Sequence, residues 1–245
     1  MWPEGYGKRV LAEIDSTNAE AARIAGDLAG PEWILALKQT AARGRRGRAW
    51  VNPAGNFSAT LVLRPAEAPE VVALRSFVAA LALFDALEEV TGTPAGLALK
   101  WPNDVLMNGG KVAGILLESL GGAGGHLAIG IGINLIAAPD VGQVEAGAVP
   151  PVSVLAETGK RVTPEAMLEA LAQAYAARDA AFVTYGFAPI RSAWLSRAAR
   201  IGEVITARTG REELTGTFET VDETGNLVLK TSEARRAIAA ADVFF

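Results

Sequence analysis

Residues 104 to 135 read DVLMNGGKVAGILLESLGGAGGHLAIGIGINL. Three apolar runs are separated only by Gly109-Gly110 and by GGAGG, so each break reads as a turn. Runs this close in sequence pair as consecutive antiparallel strands, because a parallel neighbour needs a crossover of about a dozen residues or more. DVLMN, KVAGILLES and HLAIGIGINL (126 to 135) therefore form a meander against which the rest of the chain must pack.

Strands and helices alternate around it. KRVLAEI (8 to 14) reads as a strand, and residues 18 to 29 as a helix, with Thr17 and Glu20 at capping-box spacing and Gly30-Pro31 as a stop. WILALKQT (33 to 40) and FSATLVLR (57 to 64) read as strands, residues 71 to 90 as a long apolar helix, and LALKW (97 to 101) as a short strand broken by Pro102-Asn103. Residues 164 to 186 form a helix with Pro164 in its first turn, followed by a shorter one over 188 to 197. Antiparallel strands with helices on one side make residues 1 to 198 an α+β domain built on a mixed, largely antiparallel sheet. From Gly202 the texture changes to EVITAR, ELTGTFETV, NLVLKT and RAIAAADVF, short alternating segments between turns. These predict a small β-barrel domain over residues 199 to 245.

Composition removes several classes of function. The 245 residues are 50% hydrophobic and 20% charged, with no cysteine, so disulfides, thiolate metal sites and a cysteine nucleophile are out. The single histidine, His126, sits beside a glycine-rich turn and gives little basis for a zinc site or a Ser-His-Asp triad. The N-terminus lacks the apolar run of a signal peptide, and VAALALFDAL (78 to 87) is interrupted by Asp85 and too short to cross a bilayer. A cytoplasmic protein without membrane contact is expected.

Against a net charge of -4, residues 43 to 48 carry Arg43, Arg45, Arg46 and Arg48, interrupted by Gly44 and Gly47. Such a run is a solvated surface, a nucleic-acid patch, or a loop that closes on a small anion. No basic face or interleaved aromatics elsewhere support nucleic acid. Standard nucleotide signatures are missing: GIGINL has Leu135 where a dinucleotide fingerprint needs glycine, and Val112 stands after Gly110-Lys111 where a P-loop needs Ser or Thr.

What remains is a set of polar residues at strand ends. Ser16, Thr17 and Asn18 sit at a strand-to-helix junction, and Gln39 ends a buried strand. Asn103 and Asp104 follow the Trp101-Pro102 break, Lys111 follows the hairpin, and Asn134 ends the meander. Individually these are helix caps, turn formers and a solvated lysine.

Together they resemble one family. KWPNDVLMNGGKVAGILLES is similar to the signature of biotin protein ligases, in which a Lys-Trp-Pro-Asn-Asp run precedes a Lys-x-x-Gly. RGRRGRAW resembles that family's arginine-rich loop, DSTNAEA its Ser-Thr-Asn site, GIGINL its glycine strand, and GTFETVDETGNLVLKT its small C-terminal SH3-like domain. The resemblance implies an enzyme that activates biotin with ATP and Mg²⁺ to biotinyl-5'-AMP, then transfers biotin to a lysine of a biotin carboxyl carrier domain. It implies that Ser16, Thr17, Asn18 and Gln39 hold the ureido ring, and that Gly114, Ile131 and Gly132 border the pocket for the valeryl chain. Arg43, Gly44, Arg45 and Lys111 would then meet the biotin carboxylate. Arg43, Arg45, Arg46, Arg48, Trp50, Asn103, Lys111 and Asn134 would meet ATP. Lys111 and Arg45 carry the catalytic charge, and Asp104 either orients Lys111 or holds Mg²⁺; the residues leave both open.

Ala42 departs from the glycine usual at the loop entry. Nothing resembling a winged helix precedes the first strand, so no operator DNA binding is expected. Monomer and homodimer both remain open, and a lipoate or octanoate ligase is the nearest alternative reading.

Overall fold

A computed structural model describes residues 1–51, 53–92, 96–121, 125–140, 142, 144 and 147–245. Its main sheet has seven strands in the order β1-β2-β3-β7-β6-β5-β4. These are β1 (Gly7–Leu11), β2 (Glu32–Ala36), β3 (Phe57–Leu63), β4 (Leu97–Lys100), β5 (Asp104–Met107), β6 (Gly110–Leu120) and β7 (His126–Ile133). The β1–β2 pair is parallel and every other pair antiparallel, so the expected mixed sheet and meander are both present.

The hairpin turn lies one residue earlier than the sequence suggested. Asn108 and Gly109 have φ of 49° and 81°, the two positive values that a tight two-residue hairpin requires, while Gly110 already opens β6. The middle of the GGAGG turn, residues 122 to 124, falls outside the described residues.

α1 (Thr17–Ile24) begins one residue before its expected start, because Ser16 rather than Thr17 is the cap and accepts from the Ala19 amide. α2 (Pro69–Ala73) and α3 (Arg75–Thr91) divide the expected 71 to 90 helix at Leu74. After α4 (Val154–Thr158) come α5 (Pro164–Tyr185) and α6 (Phe187–Leu195). The strand pleat sorts side chains by parity. Phe57, Ala59, Leu61, Ile129, Ile133, Ala113 and Ile115 join the main core, where α3 and α5 also bury their apolar faces. Trp33 of β2 meets Tyr175 of α5 edge to face at 6.0 Å there, and Phe77 of α3 meets Trp194 of α6 at 5.3 Å.

The opposite parity builds something different. Cross-strand register aligns Ser58, Gly132, Gly114 and Asp104 in one row across β3, β7, β6 and β5. The next row is Thr60, Gly130 and Leu116. Ser58, Thr60 and the three glycines cannot fill the space above these rows, and the sheet keeps a hollow there. α1 covers the far end, with its apolar side over Val62 and Ala128 and its first residues, Thr17 and Asn18, over Thr60 and Gly130.

The C-terminal part is a five-stranded antiparallel sheet, β11-β10-β9-β8-β12. It comprises β8 (Val204–Arg208), β9 (Glu213–Val221), β10 (Leu227–Lys230), β11 (Arg235–Ile238) and β12 (Asp242–Phe244). The run RAIAAADVF, read as one strand, is two. Trp101 Nε1 donates to the Gly225 carbonyl at 3.1 Å, and an added Cβ on Gly225 would meet Leu74 and Phe77 within 3.0 Å, so this sheet packs tightly onto α3.

Candidate active site

The hollow above the glycine rows is a cavity of about 520 Å³. Ser16, Thr17, Asn18, Gln39, Arg43, Gly44, Arg45, Arg48, Trp50, Asn103, Asp104, Lys111, Gly114, Gly132 and Asn134 all border it. Ile131 also borders it, although its side chain belongs to the core on the other face. Arg46 does not line the cavity. Of the residues singled out from sequence, it alone lies outside.

At one end, Thr17 and Gln39 come together. The Thr17 amide donates to Gln39 Oε1 at 2.7 Å, and the Thr17 hydroxyl lies 3.2 Å from the same oxygen. Thr60 Oγ1 is 2.8 Å from Thr17 Oγ1 and 2.6 Å from Asn18 Oδ1. Asn18 Nδ2 donates to Glu118 Oε2 at 2.6 Å, and a Cβ on Gly130 would sit 2.3 Å from Asn18 Oδ1. Ser16 both caps α1 and borders the cavity.

Trp50 lies across the glycine floor. A Cβ on Gly132 would stand 2.6 Å from its Nε1 and Cε2, and one on Gly114 would be 3.3 Å from Cζ3. Only glycine admits the indole so close to the backbone. Buried polar atoms here without a hydrogen-bond partner include the Trp50 Nε1 donor, Ser58 Oγ and Asn134 Oδ1. The amide of Asn134 donates to the Val152 carbonyl at 3.0 Å, which fixes the side chain.

The floor ends in charge. Lys111 Nζ stands 2.7 Å from Asp104 Oδ1 and 5.6 Å from the centre of the Trp50 ring. Lys100 Nζ, 9% exposed, is 3.9 Å from Asp104 Oδ2. Burial pushes the Lys100 ammonium below the ordinary lysine range, and Asp104 opposes that shift. Burial likewise pushes the Arg45 guanidinium down, opposed first by Asp242.

The four arginines divide by partner. Arg43 pairs with Glu118 at 3.3 Å. Arg46 and Arg48 both reach Asp242 Oδ2 of β12, at 2.5 and 3.1 Å. Arg45 instead donates to Asn103 Oδ1 at 3.3 Å, while Asn103 Nδ2 donates to the Ile115 carbonyl at 2.5 Å. The loop backbone produces this division. Arg46 and Gly47 hold φ of 57° and 72°, and the Gly44 amide donates to the Arg48 carbonyl at 2.7 Å. That tight turn sends Arg45 inward and Arg46 outward.

Sequence reasoning missed Lys100, Glu118, Thr60, Gly130 and Asp242 with its neighbours Val243 and Phe244. Lys100 stood inside the KWPND run and was available. Asp242 gave no local signal, since it reaches the cavity only through packing of the C-terminal sheet.

The magnesium expectation meets a specific obstacle. Both oxygens of Asp104 face lysine ammonium groups, and Asp242 carries two arginines. Among the described residues no group of three or more His, Cys, Asp or Glu could hold a metal ion. The side chains do not fit a magnesium ion held by the protein alone. A magnesium ion would enter as the counter-ion of a nucleotide's phosphates.

Residues 10–134 match the family model described as Biotin/lipoate A/B protein ligase family, and residues 201–245 match Biotin protein ligase C terminal domain. The chain is 59% identical over 238 residues to a biotin–[acetyl-CoA-carboxylase] ligase of Paracoccus denitrificans, covering 96% of this chain and 99% of that one. It is 32% identical to the bifunctional ligase/repressor BirA of Bacillus subtilis over 94% of this chain and 71% of that protein. Among solved structures it is similar to the biotin protein ligase from Aquifex aeolicus in complex with biotin and ATP, with a TM-score of 0.83, 26% identity and 97% of each chain covered. The chain belongs to the biotin/lipoate A/B protein ligase family.

Proposed function

We propose that this chain is an ATP-dependent biotin protein ligase, which makes biotinyl-5'-AMP and transfers biotin to a lysine of a carboxylase carrier domain. The name of the Paracoccus relative and the biotin and ATP bound by the Aquifex enzyme support this. The observation that carries it here is one continuous cavity. It has neutral hydrogen-bonding groups at Thr17 and Gln39, a glycine floor beneath the Trp50 indole, and cations at the far end.

That order suits biotin end to end. Thr17 and Gln39 meet the ureido ring, and the floor of Gly114 and Gly132 takes the apolar chain. Lys111 and Arg45 then meet the carboxylate. In the first step a carboxylate oxygen attacks the α-phosphorus of ATP, and the bond to pyrophosphate breaks. Two anions must converge, so cations that stay in place as charge develops lower the barrier most. One charge about 4 Å from a phosphate oxygen contributes roughly 4 kcal/mol at an effective dielectric near 20. In the second step the carrier lysine's neutral amine attacks the acyl carbon, AMP leaves, and the new amide loses a proton. Trp50 Nε1 and Asn134 Oδ1, an unpartnered donor and acceptor, are the groups assigned to the purine. Arg46 and Arg48 anchor the loop on Asp242, so their role toward ATP is indirect.

Biotin-dependent exchange of pyrophosphate into ATP tests the reading, run beside lipoate and octanoate. Exchange driven by lipoate or octanoate but not by biotin would overturn it. A second expectation concerns the loop. Trypsin should cut after Arg43 to Arg48 in the free protein, and biotin with MgATP should slow that cutting more than biotin alone, as fragment sequencing would reveal. Cleavage indifferent to ligand would remove loop closure from the mechanism while leaving the ligase reading intact.

A further inference from the structure

The site contains a second lysine that nothing in the proposed chemistry yet uses. Lys100 ends β4, and the β4–β5 register sets it directly opposite Asp104. Its side chain borders the same cavity as Lys111 and is almost fully enclosed. The ring of Phe245 lies 5.5 Å from its Nζ. Buried lysines are rare because losing water is costly, so one placed beside a reaction centre asks for a reason.

Asp104 supplies it. One carboxylate oxygen faces Lys111 at 2.7 Å and the other faces Lys100 at 3.9 Å. One negative charge between two positive ones leaves the trio with a net positive charge. Without Lys100, Asp104 and Lys111 would form a closed neutral pair, and the whole attraction of Asp104 would hold Lys111 away from any ligand. We propose that Lys100 is a positioning residue for adenylate formation: by sharing Asp104 it leaves the Lys111 ammonium free to turn to the acid's carboxylate and the α-phosphate. This rests on the ligase reading. It differs from direct substrate contact, because Lys100 acts through Asp104.

The test uses Lys100→Met, Lys100→Gln and Lys100→Arg in the full chain. Rapid-quench measurement of biotinyl-adenylate formation should fall about 10- to 100-fold in the two neutral variants, less than the loss from removing a group that contacts the reacting atoms. Biotin affinity by calorimetry should stay within about threefold, since the ureido end is remote, and Lys100→Arg should recover the rate to within about threefold. A folded neutral variant with the wild-type rate overturns the proposal, as does equal loss of rate and biotin affinity. If both neutral variants unfold, Lys100→Arg decides: wild-type melting with more than tenfold loss of rate overturns it. The ¹⁵Nζ resonance of Lys111 in the ligand-free protein should move in Lys100→Met, and an unmoved resonance overturns the sharing of Asp104. That readout needs no substrate, so a wild-type protein inert toward biotin would sink the ligase reading and leave the sharing separately tested.

Discussion

Lys111→Gln is expected to fold normally, bind biotin nearly as well as the wild type, and lose about 10²- to 10³-fold in the rate of adenylate formation. Glutamine keeps a polar side chain, one atom shorter, and removes the ammonium that stands both against Asp104 and beside Trp50 on the glycine floor. It also leaves Asp104 facing Lys100 alone. The loss should fall on the rate of the first step and little on biotin affinity, because the ureido contacts lie at the other end of the cavity. Stopped-time assays of pyrophosphate exchange, paired with thermal melts, separate the two effects. Exchange at the wild-type rate would return Lys111 to the role of an ordinary hairpin lysine.

The second large effect is steric. Gly132→Val is expected to weaken biotin binding about 100-fold while leaving the core unchanged. The first added carbon already lies 2.6 Å from the Trp50 indole, so Trp50 must leave the floor, and the branched methyl groups then occupy the space above Gly114. The opposite face of the same strand, with Ile131 and Ile133 in the core, feels none of this. Isothermal titration with biotin, beside a melting curve, is the measurement. Undiminished affinity would mean that the ligand chain does not run over this floor.

Much of this arrangement could be read from the chain itself, and the reason is local chemistry. The hairpin turn and the start of α1 were legible to within one residue, because they follow from backbone requirements that few residues satisfy. The cavity lining was legible as polar residues at strand ends, since those residues border the hollow on one face of the sheet. What escaped was set by register and by distant packing. The alignment of Ser58, Gly132, Gly114 and Asp104 in one row exists only once four strands pair. The four arginines looked equivalent in sequence. Their division into one inward and three carboxylate-bound side chains depends on Glu118, Asp242 and the left-handed turn at Arg46. Lys100 was passed over because burial cannot be read from a strand-terminal lysine.

β12 contributes Asp242, Val243 and Phe244 to the wall of a cavity whose first residue is Ser16. During synthesis, then, the seven-stranded sheet can emerge and pair long before the carboxylate that two of the loop's arginines reach. Arg46 and Arg48 gain their contact with Asp242 only when residue 242 leaves the ribosome and docks. A chain cut before β12 would keep the floor, the lysines, the ureido contacts and the Arg43–Glu118 pair, yet lose the Asp242 carboxylate that Arg46 and Arg48 both reach. The practical corollary is that a bulky change at Phe245, whose ring lies over Lys100 and Arg200, reaches the site from the C-terminal sheet.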